Sequence, residues 1–178
     1  MMSCIVDALT AKGYTQTGAD TGYISEINGI KEKDASKDSG WMGTLNDWFT
    51  SEGFANYTVA NGKLKSGDEI AVQHTCNLGA DIGGSFDTSD KSLKAIALSA
   101  GELTPAFSSG VHDYTMILPE SVTALTVTPT ASNKQNRVRI YAGGTEYGRK
   151  DAIPVQVGTV ITLTVSYTHL RAHETGAY

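Results

Sequence analysis

A regular series of short β-type segments constrains the second half of the chain. From Ser92 onward, short runs rich in Val, Ile and Thr recur about every 8–12 residues with turn residues between them. This spacing is typical of a β-sandwich. About six strands fit before residue 166, so we expect an all-β sandwich over residues 92–165 that is truncated and open at one edge. The segments are LKAIALS, DYTMIL, VTALTVTPT, RVRIYA, IPVQV and TVITLTV.

The first 76 residues have a different pattern, a helix followed by several short strands. Ser3 is predicted as the helix N-cap and Gly13 as the residue just beyond its end. Asn28–Gly29 and Asn46–Asp47 are predicted turns. This arrangement in about 75 residues predicts a small α+β domain over residues 1–76. The apolar stripe of the helix is predicted to contain Cys4, Ile5, Ala8 and Leu9.

Residues 77–91, NLGADIGGSFDTSDK, are predicted to be a linker because they have little apolar pattern and many small or acidic residues. Asp81, Asp87 and Asp90 could supply oxygen ligands to calcium. They do not follow the Asp-x-Asp-x-Asp-Gly pattern of a calcium loop, so we predict no metal site and interpret the segment as a solvated hinge.

Charge and hydropathy exclude several function classes. The net charge is −5, with no basic run, which argues against a nucleic-acid partner. No run of 18 apolar residues is present, so no membrane span is predicted in the sequence. The first residues of the chain, MMSCIVDALTAKG, lack the basic and apolar regions of a secretory signal.

Residues 165–175, VSYTHLRAHET, resemble the translation of a transposase mosaic-end sequencing adapter. We therefore predict that residues 166–178 are not native, and that the true C-terminus lies beyond the given sequence. The alternative is a native C-terminal strand and tail. If residues 166–178 are adapter-derived, the spacing of His169 and His173 does not indicate a metal site.

The aromatic residues between positions 41 and 54 are the predicted candidate for a ligand site. Trp41, Trp48 and Phe49 could contact a small ligand or a glycan if the last two protrude from a loop after Asn46–Asp47. The alternative is that the aromatic residues belong to the core of the domain.

Other chemistry-bearing residues give no catalytic pattern. Cys4 and Cys76 could form a disulfide between the helix and the last strand of the first domain, or could be two small buried residues. His74 and His112 stand alone, without a nucleophile at a recognisable spacing. We therefore predict no enzyme, no catalytic residue and no cofactor.

The first domain resembles a bacterial β-grasp (ubiquitin-like) family of unknown function that is related to the C-terminal domain of transcobalamin. The motifs that carry the resemblance are YISEING (23–29), SGWMGTLNDWF (39–49), YTV (57–59) and SGDEIAVQHT (66–75). In transcobalamin-like proteins this domain caps a corrinoid together with a helical domain. This sequence contains no such helical domain, so the resemblance does not imply a corrinoid here. The family has a strand before its helix, which suggests that Met1 is internal to a longer gene.

The second domain resembles the Ig/cadherin-like β-sandwiches of bacterial surface proteins, through residues 92–133, SLKAIALSAGELTPAFSSGVHDYTMILPESVTALTVTPTASN. Together the two resemblances imply a fragment of a secreted or wall-attached protein of a Gram-positive-type bacterium. They imply a role in adhesion, or in spacing and displaying other modules. The implied partners are other domains of the same polypeptide, and a host or cell-wall protein or glycan.

Overall fold

The computed structural model of the protein describes residues 1–167. The described chain is mostly β-structure with one α-helix, α1 (Met2–Ala11). None of the helices in this part of the chain has the length and hydropathy needed to cross a membrane. Two units follow one another along the chain, each with its own hydrophobic cluster.

The first unit consists of α1 and two three-stranded antiparallel sheets. One sheet has the order β1-β2-β3 and the other β5-β4-β6. In the second sheet, β4 pairs along its whole length with β6, from Gly40 opposite Thr75 to Leu45 opposite Ile70. The strands are β1 (Gln16–Thr17), β2 (Glu26–Ile27), β3 (Ile30–Lys31), β4 (Gly40–Leu45), β5 (Trp48–Phe49) and β6 (Ile70–Thr75).

Helix α1 differs from the prediction in its N-cap residue and in its buried face. The N-cap is Met1, and no side chain caps the helix, so the prediction of Ser3 as N-cap is wrong. Cys4 and Ala8 are exposed, and the buried face is centred on Ile5. The C-terminal end agrees with the prediction, because Gly13 follows the helix with a φ of 72°, which glycine adopts at no steric cost.

The predicted turns of the first unit are confirmed. Asn28 and Gly29 both have positive φ, 50° and 87°, and they connect β2 to β3 in a two-residue hairpin. Asn46 and Asp47, with φ of 51° and 70°, connect β4 to β5 in the same way. Positive φ at both central residues is the geometry that matches the twist of paired strands, and Asn and Asp tolerate it better than most residues do.

The second unit is built from three small antiparallel sheets, with the orders β7-β9, β12-β8 and β11-β10-β13. The longest pairing joins β10 to β13, from Asn136 opposite Tyr167 to Ala142 opposite Ile161. The strands are β7 (Leu93–Leu98), β8 (Ala124–Leu125), β9 (Val127–Ala131), β10 (Asn136–Ala142), β11 (Thr145–Tyr147), β12 (Ile153–Pro154) and β13 (Ile161–Tyr167).

Two details of the second unit differ from the predicted strands. The segment DYTMIL forms no strand, and only an isolated bridge joins Thr115 to Thr104. Ile117 in this segment is 93 % exposed, so its apolar pattern is not used to build a core. Conversely, β11 was not predicted. It follows Gly143–Gly144, which connect β10 to β11 with positive φ at both residues.

Residues 168–178 lie outside the described chain, and so do His169 and His173. Most of the segment predicted to be adapter-derived therefore has no structural description. Its first two residues, Ser166 and Tyr167, complete β13 opposite β10. The adapter origin of residues 166–178 stays a prediction.

Candidate functional site: the junction between the two units

The three aromatic residues predicted as a ligand site lie on two neighbouring strands of one sheet, β4 and β5. Trp48 and Phe49 lie in β5, where they are 6 % and 0 % exposed, so they do not protrude from a loop. Trp41 is half-buried in β4, and its indole N–H donates to the carbonyl oxygen of Ile30 at 3.0 Å. The expectation that Trp48 and Phe49 protrude from a loop is therefore wrong, and a ligand-binding role for the three residues stays a prediction.

Phe49 is buried by residues that are far from it in sequence. Its backbone N–H donates to the carbonyl oxygen of Lys134, in the second unit, at 2.7 Å. Its ring lies against Gly79 and Gly84, where an added Cβ would come within 3.1 and 2.8 Å of the ring carbon Cε2. Only glycine fits this closely at these two positions. Phe49 therefore fills the space between β5 and residues 79–84 at the point where the second unit begins.

A buried asparagine connects residues 77–91 to the second unit. Asn133 is 1 % exposed. Its Oδ1 accepts hydrogen bonds from the backbone N–H groups of Ser85 (3.0 Å) and Gln135 (2.9 Å). Its Nδ2 donates to the carbonyl oxygens of Ser85 (3.1 Å) and Asp87 (3.2 Å). Both ends of the amide bond the connecting segment, and Oδ1 also accepts from Gln135 beside it, so Asn133 fixes the path of the connecting residues.

Neighbouring residues extend this connection. Lys134 donates its backbone N–H to the carbonyl oxygen of Gly83 at 2.9 Å. Asn136, also 1 % exposed, donates from Nδ2 to the carbonyl oxygen of Asp90 at 2.7 Å. Residues 77–91 thus connect the units and are tied to the turn between β9 and β10. Whether they act as a hinge stays a prediction.

Ion pairs join the two units directly. Lys134 lies 3.2 Å from Asp47, in the turn before β5. Glu69, just before β6, pairs with Lys150 at 2.8 Å and with Arg149 at 3.6 Å. The Lys150 ammonium, which donates a hydrogen bond to Glu69, holds the pKa of that carboxyl below its usual range. The charges across the junction are therefore complementary.

Cationic side chains cover the remaining aromatic surface at the junction. The guanidinium of Arg137 lies 5.1 Å from the ring centroid of Trp48, in cation–π geometry. Burial and the nearby charge of Arg139 both lower the pKa of Arg137. A shallow cleft of about 170 Å³ lies beside this contact and is lined in part by Tyr57 and Lys63. Arg137, from the second unit, thus packs on a ring of the first unit.

Among the described residues, the cysteines are unpaired and His74 packs against an aromatic ring. Cys4 and Cys76 are both exposed and free, so they form neither the disulfide nor the pair of buried residues that the sequence left open. His74 lies edge-on to Trp41, with ring centroids 5.1 Å apart, and its Nε2 is 3.2 Å from the carbonyl oxygen of Lys31. His74 thus takes part in packing within the first unit.

The three aspartates of the connecting segment accept hydrogen bonds from their own neighbours. Asp81 accepts from the hydroxyl of Thr75 and from the backbone N–H of Cys76, and these bonds hold its pKa below the usual range. Asp87 accepts from the hydroxyl of Ser89, and Asp90 from the backbone N–H of Ser92. Within residues 1–167, no group of three or more His, Cys, Asp or Glu side chains is placed to hold a metal ion.

Sequence reasoning missed the residues that build the junction. Asn133, Lys134 and Asn136 lie in the run ASNKQN between two strands, which is typical of an exposed turn. The two glycines that contact Phe49 were interpreted as parts of a linker. The one signal in the sequence is that positions 79, 83 and 84 of this segment are all glycine.

The fold and the junction define a protein made of two consecutive, mainly β modules. Comparison with known families agrees with this division. Residues 3–74 match the model of a domain of unknown function (DUF4430), and residues 93–177 match that of the cadherin-like beta sandwich domain. The chain thus carries a DUF4430 domain followed by a cadherin-like sandwich, both of them non-catalytic types of module. No curated protein and no solved structure matches the chain.

Proposed function

We propose that the chain is a non-catalytic part of a bacterial secreted or cell-surface protein, and that it holds other parts of that polypeptide at a fixed spacing. The junction is the observation that carries this proposal. A flexible tether needs no buried contacts between its modules. Here Phe49 is fully buried against the connecting segment, and Asn133 ties that segment to the second unit. Ion pairs join the two units directly. Such a connection transmits orientation from one module to the next.

The family matches support the extracellular part of the proposal. A cadherin-like sandwich is typical of modular extracellular proteins, and the described residues contain no helix that could span a membrane. The partners that we propose are the flanking domains of the same polypeptide. Attachment to the wall of a Gram-positive-type bacterium, and a β-grasp relation of the first unit to transcobalamin, are further parts of this proposal. Adhesion to a host or cell-wall protein or glycan would be carried out by surfaces other than Trp48 and Phe49.

The test is a distance measurement across the junction in the full chain. Spin labels would be placed on the native Cys4 and on a cysteine introduced at the exposed Val157, with Cys76 changed to serine. We expect a single narrow distribution of distances. A broad distribution in this otherwise unchanged chain would refute a spacer of fixed geometry.

A variant pair shows whether the junction itself sets the distance. Asn133→Ala leaves the backbone groups of Ser85 and Asp87 without their partner, and we expect it to broaden the distribution. Asn77→Ala is the matched control, since Asn77 is exposed in the same connecting segment. An equal effect of the two substitutions, or no effect of Asn133→Ala, would contradict the proposal.

A further inference from the structure

The sequence contains two Asn-Gly pairs, and the structure holds them in different ways. They are Asn28–Gly29, the turn between β2 and β3, and Asn61–Gly62, in the stretch between β5 and β6. All four residues are exposed. At such a pair the glycine nitrogen can attack the side-chain amide carbon of the asparagine, because glycine has no side chain to shield its nitrogen. The outcome depends on how firmly the amide and the nitrogen are held.

Hydrogen bonds hold both reacting groups of the second pair. The side-chain Oδ1 of Asn61 accepts from the backbone N–H groups of Thr58 (3.2 Å) and Lys63 (3.1 Å). Its Nδ2 donates to a backbone carbonyl oxygen at 2.8 Å. The N–H of Gly62 donates to the carbonyl oxygen of Val59 at 3.1 Å. Attack of the Gly62 nitrogen on the Asn61 amide would have to break several of these bonds, each of which stabilises the folded turn.

The corresponding groups of the first pair are free. Among the described residues, neither the side-chain amide of Asn28 nor the backbone N–H of Gly29 has a hydrogen-bond partner. Apart from its chain neighbours, no atom lies within 4 Å of the position that a Cβ of Gly29 would take. The turn is held by only two residue pairs between β2 and β3. So short a ladder gives little resistance to the backbone rotation that brings the nitrogen to the amide carbon.

We propose that Asn28 is a site of spontaneous covalent modification, which converts it to aspartate and isoaspartate. The nitrogen of Gly29 bonds to Cγ of Asn28, and its proton is transferred through water to Nδ2, which leaves as ammonia. The product is a cyclic succinimide, which water then opens. Breaking the bond from the nitrogen to Cγ gives aspartate, and breaking the bond to the backbone carbon of Asn28 gives isoaspartate. This inference goes beyond the spacer role and does not depend on it.

Isoaspartate in this turn affects the contact between β3 and Trp41. It lengthens the backbone of the turn by one carbon, so the two-residue hairpin no longer matches its strands. Ile27, before the turn, is buried, and the carbonyl oxygen of Ile30, after the turn, accepts from the indole N–H of Trp41 at 3.0 Å. We therefore expect the modification to weaken this hydrogen bond. Either product also adds a negative charge to a chain whose net charge is −5.

Peptide mapping by mass spectrometry during storage of the full chain at mildly alkaline pH tests the proposal, because it follows both Asn-Gly pairs in one sample. We expect Asn28 to be converted roughly tenfold faster than Asn61, since ring closure at Asn61 must first break hydrogen bonds. In urea the two rates should become similar, as both residues precede glycine. An Asn28 that stays intact in the folded chain while the urea-unfolded chain reacts overturns the proposal. So does equal conversion of the two residues in the folded chain, or a difference that urea leaves unchanged.

Asn28→Asp is the matched control for the structural consequence. It adds the negative charge but keeps the length of the backbone, and circular dichroism verifies that its fold is kept. The NMR signal of the Trp41 indole N–H should move in the stored chain and stay near its original position in Asn28→Asp. An unmoved signal in a stored chain that has reacted at Asn28, or an equal shift in the control variant, would contradict isoaspartate formation in the turn.

Discussion

The hydrophobic cores of the two units differ in composition. The buried cluster of the first unit contains three aromatic rings, Trp48, Phe54 and Tyr57, together with aliphatic residues. The buried cluster of the second unit has no aromatic residue and consists of Leu125, Val127, Ile140, Ala142 and Ile153. The second core is therefore built from smaller side chains than the first.

The difference extends to how each unit uses its irregular segments. In the first unit, loop residues such as Ile24, Tyr57 and Leu64 are buried and complete the core. In the second unit, the stretch between β7 and β8 leaves Ile117 exposed and contributes Met116 only as a partly buried neighbour of the core. The irregular segments of the first unit thus contribute buried side chains to its core, whereas the stretch between β7 and β8 contributes no fully buried one.

The largest expected effects come from the two cores. Phe54→Ala should lower the free energy of unfolding of the first unit by about 3–5 kcal/mol, because it removes a buried ring. Ile153→Ala should cost the second unit about 2–5 kcal/mol. Hydrogen exchange would show faster exchange in β4 and β6 for the first variant and in β10 and β13 for the second. If both variants showed the same pattern of exchange, the two units would not have separate cores.

A substitution at the junction should have the next largest effect. Gly84→Ala brings a Cβ within 2.8 Å of the Phe49 ring and 2.9 Å of the carbonyl oxygen of Gly79, so we expect a loss of about 1–3 kcal/mol on urea unfolding. Gly110→Ala is the control, since nothing lies within 4 Å of its added Cβ. Equal stability of the two variants would show that Phe49 is not tightly enclosed.

The ion pairs across the junction should contribute less. Glu69→Gln should cost about 0.2–1 kcal/mol, since Glu69 is 43 % exposed and its pairing is screened by salt. The pKa of Glu69 is lowered from its ordinary value of 4.5, so its contribution is present above that pH and is lost as the pH falls through the folded-state pKa. The variant should therefore lose part of the acid dependence seen in urea unfolding at low salt. Glu120→Gln serves as the exposed control.

The smallest effect at neutral pH is expected for Tyr23→Phe. Burial, and secondarily the hydrogen bond to Glu32 at 2.9 Å and the charge of Glu32, raise the pKa of Tyr23 from 10.0 to about 12. The contribution of Tyr23 is therefore complete below pH 10 and is lost as the pH rises through 12. Absorbance titration of the phenol should show this late ionisation, and the variant should lose less stability over that range. Ionisation of Tyr23 near pH 10 would contradict the geometry.

Local features were predictable from the sequence, and long-range burial was not. The turns at Asn28–Gly29 and Gly143–Gly144, and the end of α1 at Gly13, follow from the backbone freedom of single residues. The burial of Trp48 and Phe49 does not, because it depends on Lys134 and on glycines about 30 residues away. A strand of two residues directly after a turn has too short a pattern to show which side faces the core.

The enclosure of Phe49 limits where this protein can be divided. Its covering residues, Gly79 and Gly84, follow the matched range of the first domain, which ends at residue 74. A fragment that stops at that boundary would present Phe49 to water, and the second domain alone would expose Asn133 and Asn136 without their partners. Gene fusions and module exchanges should therefore keep residues 77–91 attached to both neighbours, so that the pair is inherited and transferred as one unit.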